Sequence, residues 1–191
     1  MTFLRCALVA ALATTFAYTA DARPLKLKLA NPQPEAVTAG LSVQYAYPDD
    51  VKSLRDAYIA IGIGAEPGAV MDKGLNYISS DEAPMALTSN KETKVAAQIK
   101  GYIKFDAPGV YKIEVFSNDG LELTIGGQEV AKVDEKRGCD PIGEVEVNVR
   151  EAGYYEVEAL YWQRKGSSCL QMQWAPEGAE LDYVPASAFG H

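Results

Sequence analysis

The chain has 191 residues and a net charge of −8, from 18 Lys and Arg against 26 Asp and Glu, with a single histidine. Acidity spread along a chain cannot neutralise a phosphate backbone, which excludes nucleic acid as the partner. The one histidine, His191, is the last residue and is expected to be loose, so a Ser-His-Asp or Cys-His mechanism has no base.

In chain order, Arg5 precedes an apolar stretch at 7–13, and Ala20-Asp21-Ala22 then places small residues at both positions a signal peptidase reads. The pattern predicts a secretory signal at 1–22 cleaved after Ala22, because the apolar run is too short to span a bilayer. The product is expected to be secreted or periplasmic, without a membrane span, and its remaining about 170 residues make one domain.

Residues 23–39 carry Pro24, Pro32 and Pro34 and read as an extended lead-in, with Leu25-Lys26-Leu27-Lys28-Leu29 as an edge strand. The domain proper is then expected at 40–191, opening with an alternating strand at 40–47 that stops at Pro48-Asp49-Asp50. One short helix is predicted over 51–61, with Leu54, Ala57, Tyr58 and Ile61 on one face. The segment 62–90 is rich in turn residues, with a strand near 75–78.

From Val95 onward the pattern has period two. Ala97, Ile99, Ile103 and Phe105 alternate with polar residues, as do Tyr111, Ile113 and Val115, and then Leu121, Leu123 and Ile125. Gly126-Gly127 reads as a tight hairpin turn, since both positions accept positive φ. A return strand at 128–133 follows, then Val145, Val147 and Val149, then Tyr155, Val157, Ala159 and Tyr161, and last Leu170, Met172 and Trp174. Strands of this length with turns about every ten residues predict an all-β fold, an antiparallel β-sandwich of jelly-roll type with one short helix. Each strand offers one apolar face, so each sheet hides one side and wets the other.

Cys6 would leave with the signal, and Cys139 and Cys169 remain. In an oxidising compartment the two are expected to pair, closing a loop of about 30 residues. Two buried free thiols are the alternative. Glu144, Glu146, Glu156 and Glu158 fall on the wet faces of strands, where carboxylates are ordinarily solvated rather than catalytic. No phosphate-binding glycine loop or zinc spacing occurs, and a non-catalytic protein is expected.

Several segments, in this order, resemble the protective-antigen fourteen-kilodalton domain family: Gly101-Tyr102-Ile103, Gly109-Val110-Tyr111, Ser117-Asn118-Asp119-Gly120, Ala152-Gly153-Tyr154-Tyr155, Leu160-Tyr161-Trp162 and Val184-Pro185-Ala186-Ser187. The resemblance implies a β-sandwich found in bacterial toxins, fungal adhesins and glycosidases, serving as a carbohydrate-binding or interaction module. It also implies a possible calcium site, because sugar-binding members hold the ion with two consecutive aspartates at this turn. Asp119 matches the second, and Asn118 stands in place of the first, with one negative charge fewer.

The later loop that completes such a site falls at 163–168, where Arg164 and Lys165 would repel a metal. Those two cations could instead receive an acidic sugar, with Arg164 forking onto a carboxylate. Trp162, opposite in parity to Tyr155–Tyr161, could stack a pyranose ring or simply cover the second sheet face beneath 62–90. Asn118, Asp119, Trp162, Arg164 and Lys165 are therefore the candidate ligand residues. The expected partner is a glycan, and the alternative is a cell-envelope protein bound by the same fold.

Overall fold

The computed structural model describes residues 23–191; the expected signal segment at 1–22 lies outside the described residues. The elements are β1 (Leu25–Lys26), β2 (Ser42–Ala46), helix α1 (Leu54–Gly64), β3 (Glu66–Pro67), β4 (Asn76–Ile78), β5 (Val95–Phe105) and β6 (Gly109–Ser117). They continue with β7 (Gly120–Ile125), β8 (Gln128–Val133), β9 (Asp140–Val149), β10 (Gly153–Gln163), β11 (Cys169–Pro176), β12 (Asp182–Tyr183) and β13 (Phe189–Gly190). No helix among the described residues is long and apolar enough to cross a membrane.

The strands form two facing sheets. One has the order β1-β9-β6-β11-β12, with β4 also on β11; the other has the order β3-β2-β5-β10-β7-β8, with β13 also on β5. Every pairing is antiparallel except that of β1 with β9. This is the expected all-β sandwich with one short helix.

The period-two pattern decides which side of each strand is inside. Ile99, Ile103, Phe105, Ile113, Val115, Leu121, Leu123, Ile125, Val157 and Tyr161 are fully buried between the sheets. Their polar alternates face water and pair across strands, as in Lys100–Glu158, Lys112–Glu144 and Lys132–Glu122. Such exposed pairs fix register more than they add stability. Gly126 and Gly127 have φ of 54° and 71°, so the β7–β8 hairpin uses the double-glycine turn read from the sequence.

The register of β5 on β10 gives the sandwich two ends. Phe105 lies opposite Gly153 at one, and Val95 opposite Gln163 at the other. At the Phe105 end, its ring packs against Tyr111, Tyr155 and Trp174 with centroids 4.9, 5.4 and 5.1 Å away. Tilted and edge-on aromatic contacts of this kind close the core at that end. The Gln163 end is closed differently, by polar groups.

Packing corrects two expectations, the face of the helix and the loose C-terminal residue, and fixes the path of the lead-in. Helix α1 begins at Leu54 behind the N-cap Ser53, whose hydroxyl accepts the N–H of Asp56 at 3.1 Å. It buries Leu54 and Ala57, but Tyr58 is 72% exposed instead of sharing their face. Residues 23–39 lie along the sandwich: Leu27 donates to the Asn148 carbonyl, Lys28 to that of Gly126 and Ala30 to that of Tyr154. Both Leu27 and Ala30 are buried by this path. His191 is not loose, because its N–H and C=O both bond Thr38 and its Nδ1 lies 3.0 Å from the Gly40 carbonyl oxygen.

Candidate functional site

At the Gln163 end, the β6–β7 turn holds Ser117, Asn118 and Asp119, all buried. Asp119 takes φ of 55°, a left-handed conformation that Asp and Asn reach more readily than other side-chain-bearing residues. Gly120 follows because a Cβ there would fall on the Trp162 indole. The turn is therefore tight and pressed against β10.

Asp119 ties two other loops to this turn. Its Oδ1 accepts the backbone N–H of Arg137 at 3.2 Å, in the loop between β8 and β9. Its Oδ2 accepts the backbone N–H of Arg164 at 2.7 Å, in the loop between β10 and β11. Asn118 supports the same arrangement, donating from Nδ2 to the Arg137 carbonyl at 3.1 Å. Its Oδ1 lies 3.4 Å from the Tyr161 hydroxyl, which burial and the Asp119 charge keep protonated far above the ordinary tyrosine range.

Arg164 is held as well. Its Nε and Nη2 fork onto Asp50 Oδ1 and Oδ2 at 2.8 and 3.0 Å, joining the loop before α1 to the loop after β10. That contact holds the Asp50 carboxyl well below the usual carboxylate range, and Lys52, 3.2 Å away, adds to the effect. The disulfide between Cys139 and Cys169 is formed, with Cα atoms 5.6 Å apart, and it crosses the same rim. Asn118 donates its N–H to the Cys169 carbonyl beside it.

Of the five candidate ligand residues, the structure brings Asn118, Asp119 and Arg164 together, with Lys165 exposed next to them. Trp162 is corrected. It is 1% exposed and packs against Val51, Leu54, Ala57 and Ala96, so neither ring face is open to a sugar. It covers the second sheet face as the plainer reading expects, but under α1 and not under 62–90. Its Nε1 donates to Asp134 Oδ1 at 3.1 Å, the oxygen that also accepts the Leu54 N–H at 2.6 Å.

Sequence reasoning missed Asp50, Asp134 and Arg137. The first two are ordinary turn carboxylates in the sequence, and nothing local marks a partner 114 residues away. It also missed two adjoining grooves, one reaching Asp49 next to Asp50 in the chain and the other Gly166 in the loop that carries Arg164. One, of about 520 Å³, is bordered by Tyr47, Asp49, Asn90 and Lys91; the other, of about 320 Å³, by Ser79, Asp81, Gly166 and Ser167. Glu92 and Thr93 line both. Lys91 Nζ sits 4.9 Å from the Tyr47 ring centroid.

The sequence model of the PA14 domain matches residues 73–187. The chain belongs to the PA14 domain family. Its fold is also that of solved PA14 structures. The PA14 domain of MpAFP antifreeze protein superposes with a TM-score of 0.65 at 17% identity, covering 82% of this chain and 93% of that one. The PA14 sugar-binding domain from RTX adhesin gives 0.59 at 18% identity, covering 82% and 99%. The A domain of epithelial adhesin 9 from Candida glabrata, solved with Galβ1-4GlcNAc, gives 0.66 at 18% identity, covering 87% and 94%. No curated protein sequence matches the chain.

In this PA14 domain the oxygens at the turn do not fit calcium. The ion takes six to eight oxygens, several of them carboxylate. Here Asp119 is the one carboxylate at the turn, and both of its oxygens already face backbone N–H groups. Gln163 Oε1 is buried with no hydrogen-bond partner, a single neutral oxygen. No group of three or more His, Cys, Asp or Glu able to hold a metal occurs among the described residues.

Proposed function

We propose that this chain is an exported, non-catalytic binding domain that recognises carbohydrate at the rim around Asp50, Asp119 and Arg164. The observation that carries this reading is the 2.7 Å contact of Asp119 with the Arg164 N–H, which closes the turn and the later loop into one edge; Gly166 and Ser167 of that loop line one of the two adjoining grooves. Membership of the PA14 family supports it, as do neighbours described as sugar-binding or solved with a disaccharide. Asn118 and Asp119 build the edge from beneath. Lys165, Tyr47, Asn90 and the 79–81 segment present the groups a sugar would meet.

Hydroxyl-rich ligands suit such an edge, where amide, hydroxyl and charged groups stand around shallow grooves with one aromatic ring. A glycan array of residues 23–191, run with and without calcium, is the test. Binding to a defined set of glycans that weakens in Tyr47→Ala and Lys165→Ala supports the reading; a silent array refutes it.

A second reading has its own observation. Tyr58 and Ile63 on α1 are 72% and 82% exposed, an apolar surface suited to a protein of the cell envelope. A silent array, together with loss of envelope retention in a Tyr58→Ser, Ile63→Ser variant, would decide for it.

A further inference from the structure

Four loops that are far apart in the chain meet at the rim through contacts made by protein atoms alone. Asp119 reaches the 137 and 164 backbones, and Arg164 reaches Asp50 through two parallel hydrogen bonds. A divalent cation bound beside such a turn performs a similar task, gathering loop oxygens into one geometry. In this chain the task is already performed, and by groups that oppose a metal: N–H hydrogens aimed at both Asp119 oxygens, and the charges of Arg164 and Lys165 in the adjoining loop.

We propose that Asp119, Arg164 and Asp50 form a metal-independent clamp that holds the β10–β11 loop in place, with Asp50 and Arg164 as positioning residues for the rim. The proposal extends the carbohydrate reading, since a loop held in advance loses less conformational freedom when a ligand arrives. The clamp itself stands on contacts that exist whether or not the ligand is a sugar. The carboxylate of Asp50 is committed on both oxygens to Arg164, with Lys52 beside it, and is not free to ligate.

The test is backbone hydrogen exchange over 163–168 in residues 23–191, without any glycan, in EDTA and in millimolar calcium or magnesium chloride. Equal protection and equal Tm in all three are expected. Asp50→Asn is expected to speed exchange of these amides by roughly two- to fivefold, the scale of one partly exposed ion pair. Reversing the pair, Asp50→Arg with Arg164→Asp, is expected to restore protection. A metal-induced rise in Tm or slowing of exchange, or an Asp50→Asn protein that exchanges like the parent, overturns the proposal. A silent glycan array beside the expected exchange pattern would remove the carbohydrate reading and leave the clamp standing.

Discussion

Asp119 and Arg164 are 45 residues apart, and the carboxylate of the first accepts the backbone N–H of the second at 2.7 Å. The contact uses no part of the Arg164 side chain, which remains free to reach Asp50. One arginine therefore links two loops, through its backbone to the β6–β7 turn and through its guanidinium to the loop before α1.

Removing the Asp119 carboxylate leaves the Arg137 and Arg164 N–H groups without their acceptor in a buried turn. Asp119→Ala is expected to lower stability by about 2–4 kcal/mol, the scale of hydrogen bonds to a charged group. Asp119→Asn keeps one oxygen and tolerates the positive φ, so a smaller loss is expected. Urea unfolding at neutral pH measures both.

Acid should spare the rim over a wide range. The Asp50 carboxyl is held low by its hydrogen bonds with Arg164, against a smaller raising effect of burial. A group whose folded pKa is depressed contributes fully above its ordinary value, about 3.9 for Asp, and loses that contribution only as pH falls through the lowered folded value. Protection of 163–168, corrected for intrinsic exchange, is expected to stay level from neutral pH to about pH 4 and to fall in stronger acid. Asp50→Asn should shrink this acid limb, leaving the part that rests on the Asp119 carboxylate.

Trp162 is a packing residue in this structure. Trp162→Ala is expected to cost about 3–5 kcal/mol, as for other large-to-small changes of a buried aromatic. Trp162→Phe should cost less but free Asp134 from its indole partner, loosening the start of α1. Thermal unfolding ranks the two. Glycan binding by Trp162→Phe is expected to match that of the parent.

The disulfide spans a sequence separation of 30. Cys139→Ser with Cys169→Ser is expected to lower stability by roughly 3–4 kcal/mol on the chain-entropy account. Because Asn118 bonds the Cys169 carbonyl, the loss should appear first as faster exchange at the β6–β7 turn, before the Phe105 end opens.

The alternating residues from Val95 to Trp174 were enough to place the strands and their inner faces. A strand's side chains point to opposite sides by backbone geometry, and water sorts the apolar side inward. The helix was legible in its existence and less so in its face. Tyr58 could pack or stay wet, and only the position of β2 and β10 beneath Leu54 and Ala57 left it outside. Trp162 shows the same limit, since parity gave its face and the sheet's covering decided that the face was closed.

The Ser117–Gly120 turn was legible because Asn, Asp and Gly adopt left-handed backbone locally, a property of each residue and its neighbours. What the Asp119 carboxylate bonds was not legible. Its acceptors' partners come from loops 18 and 45 residues away, and Asp50 meets Arg164 across 114. The sequence by itself determined the all-β sandwich, the turn and the two cysteines able to pair, because periodicity and turn chemistry act over a few residues. Only the tertiary structure decided that the turn serves as an anchor for neighbouring loops, because loop closure brings together groups that no local pattern relates.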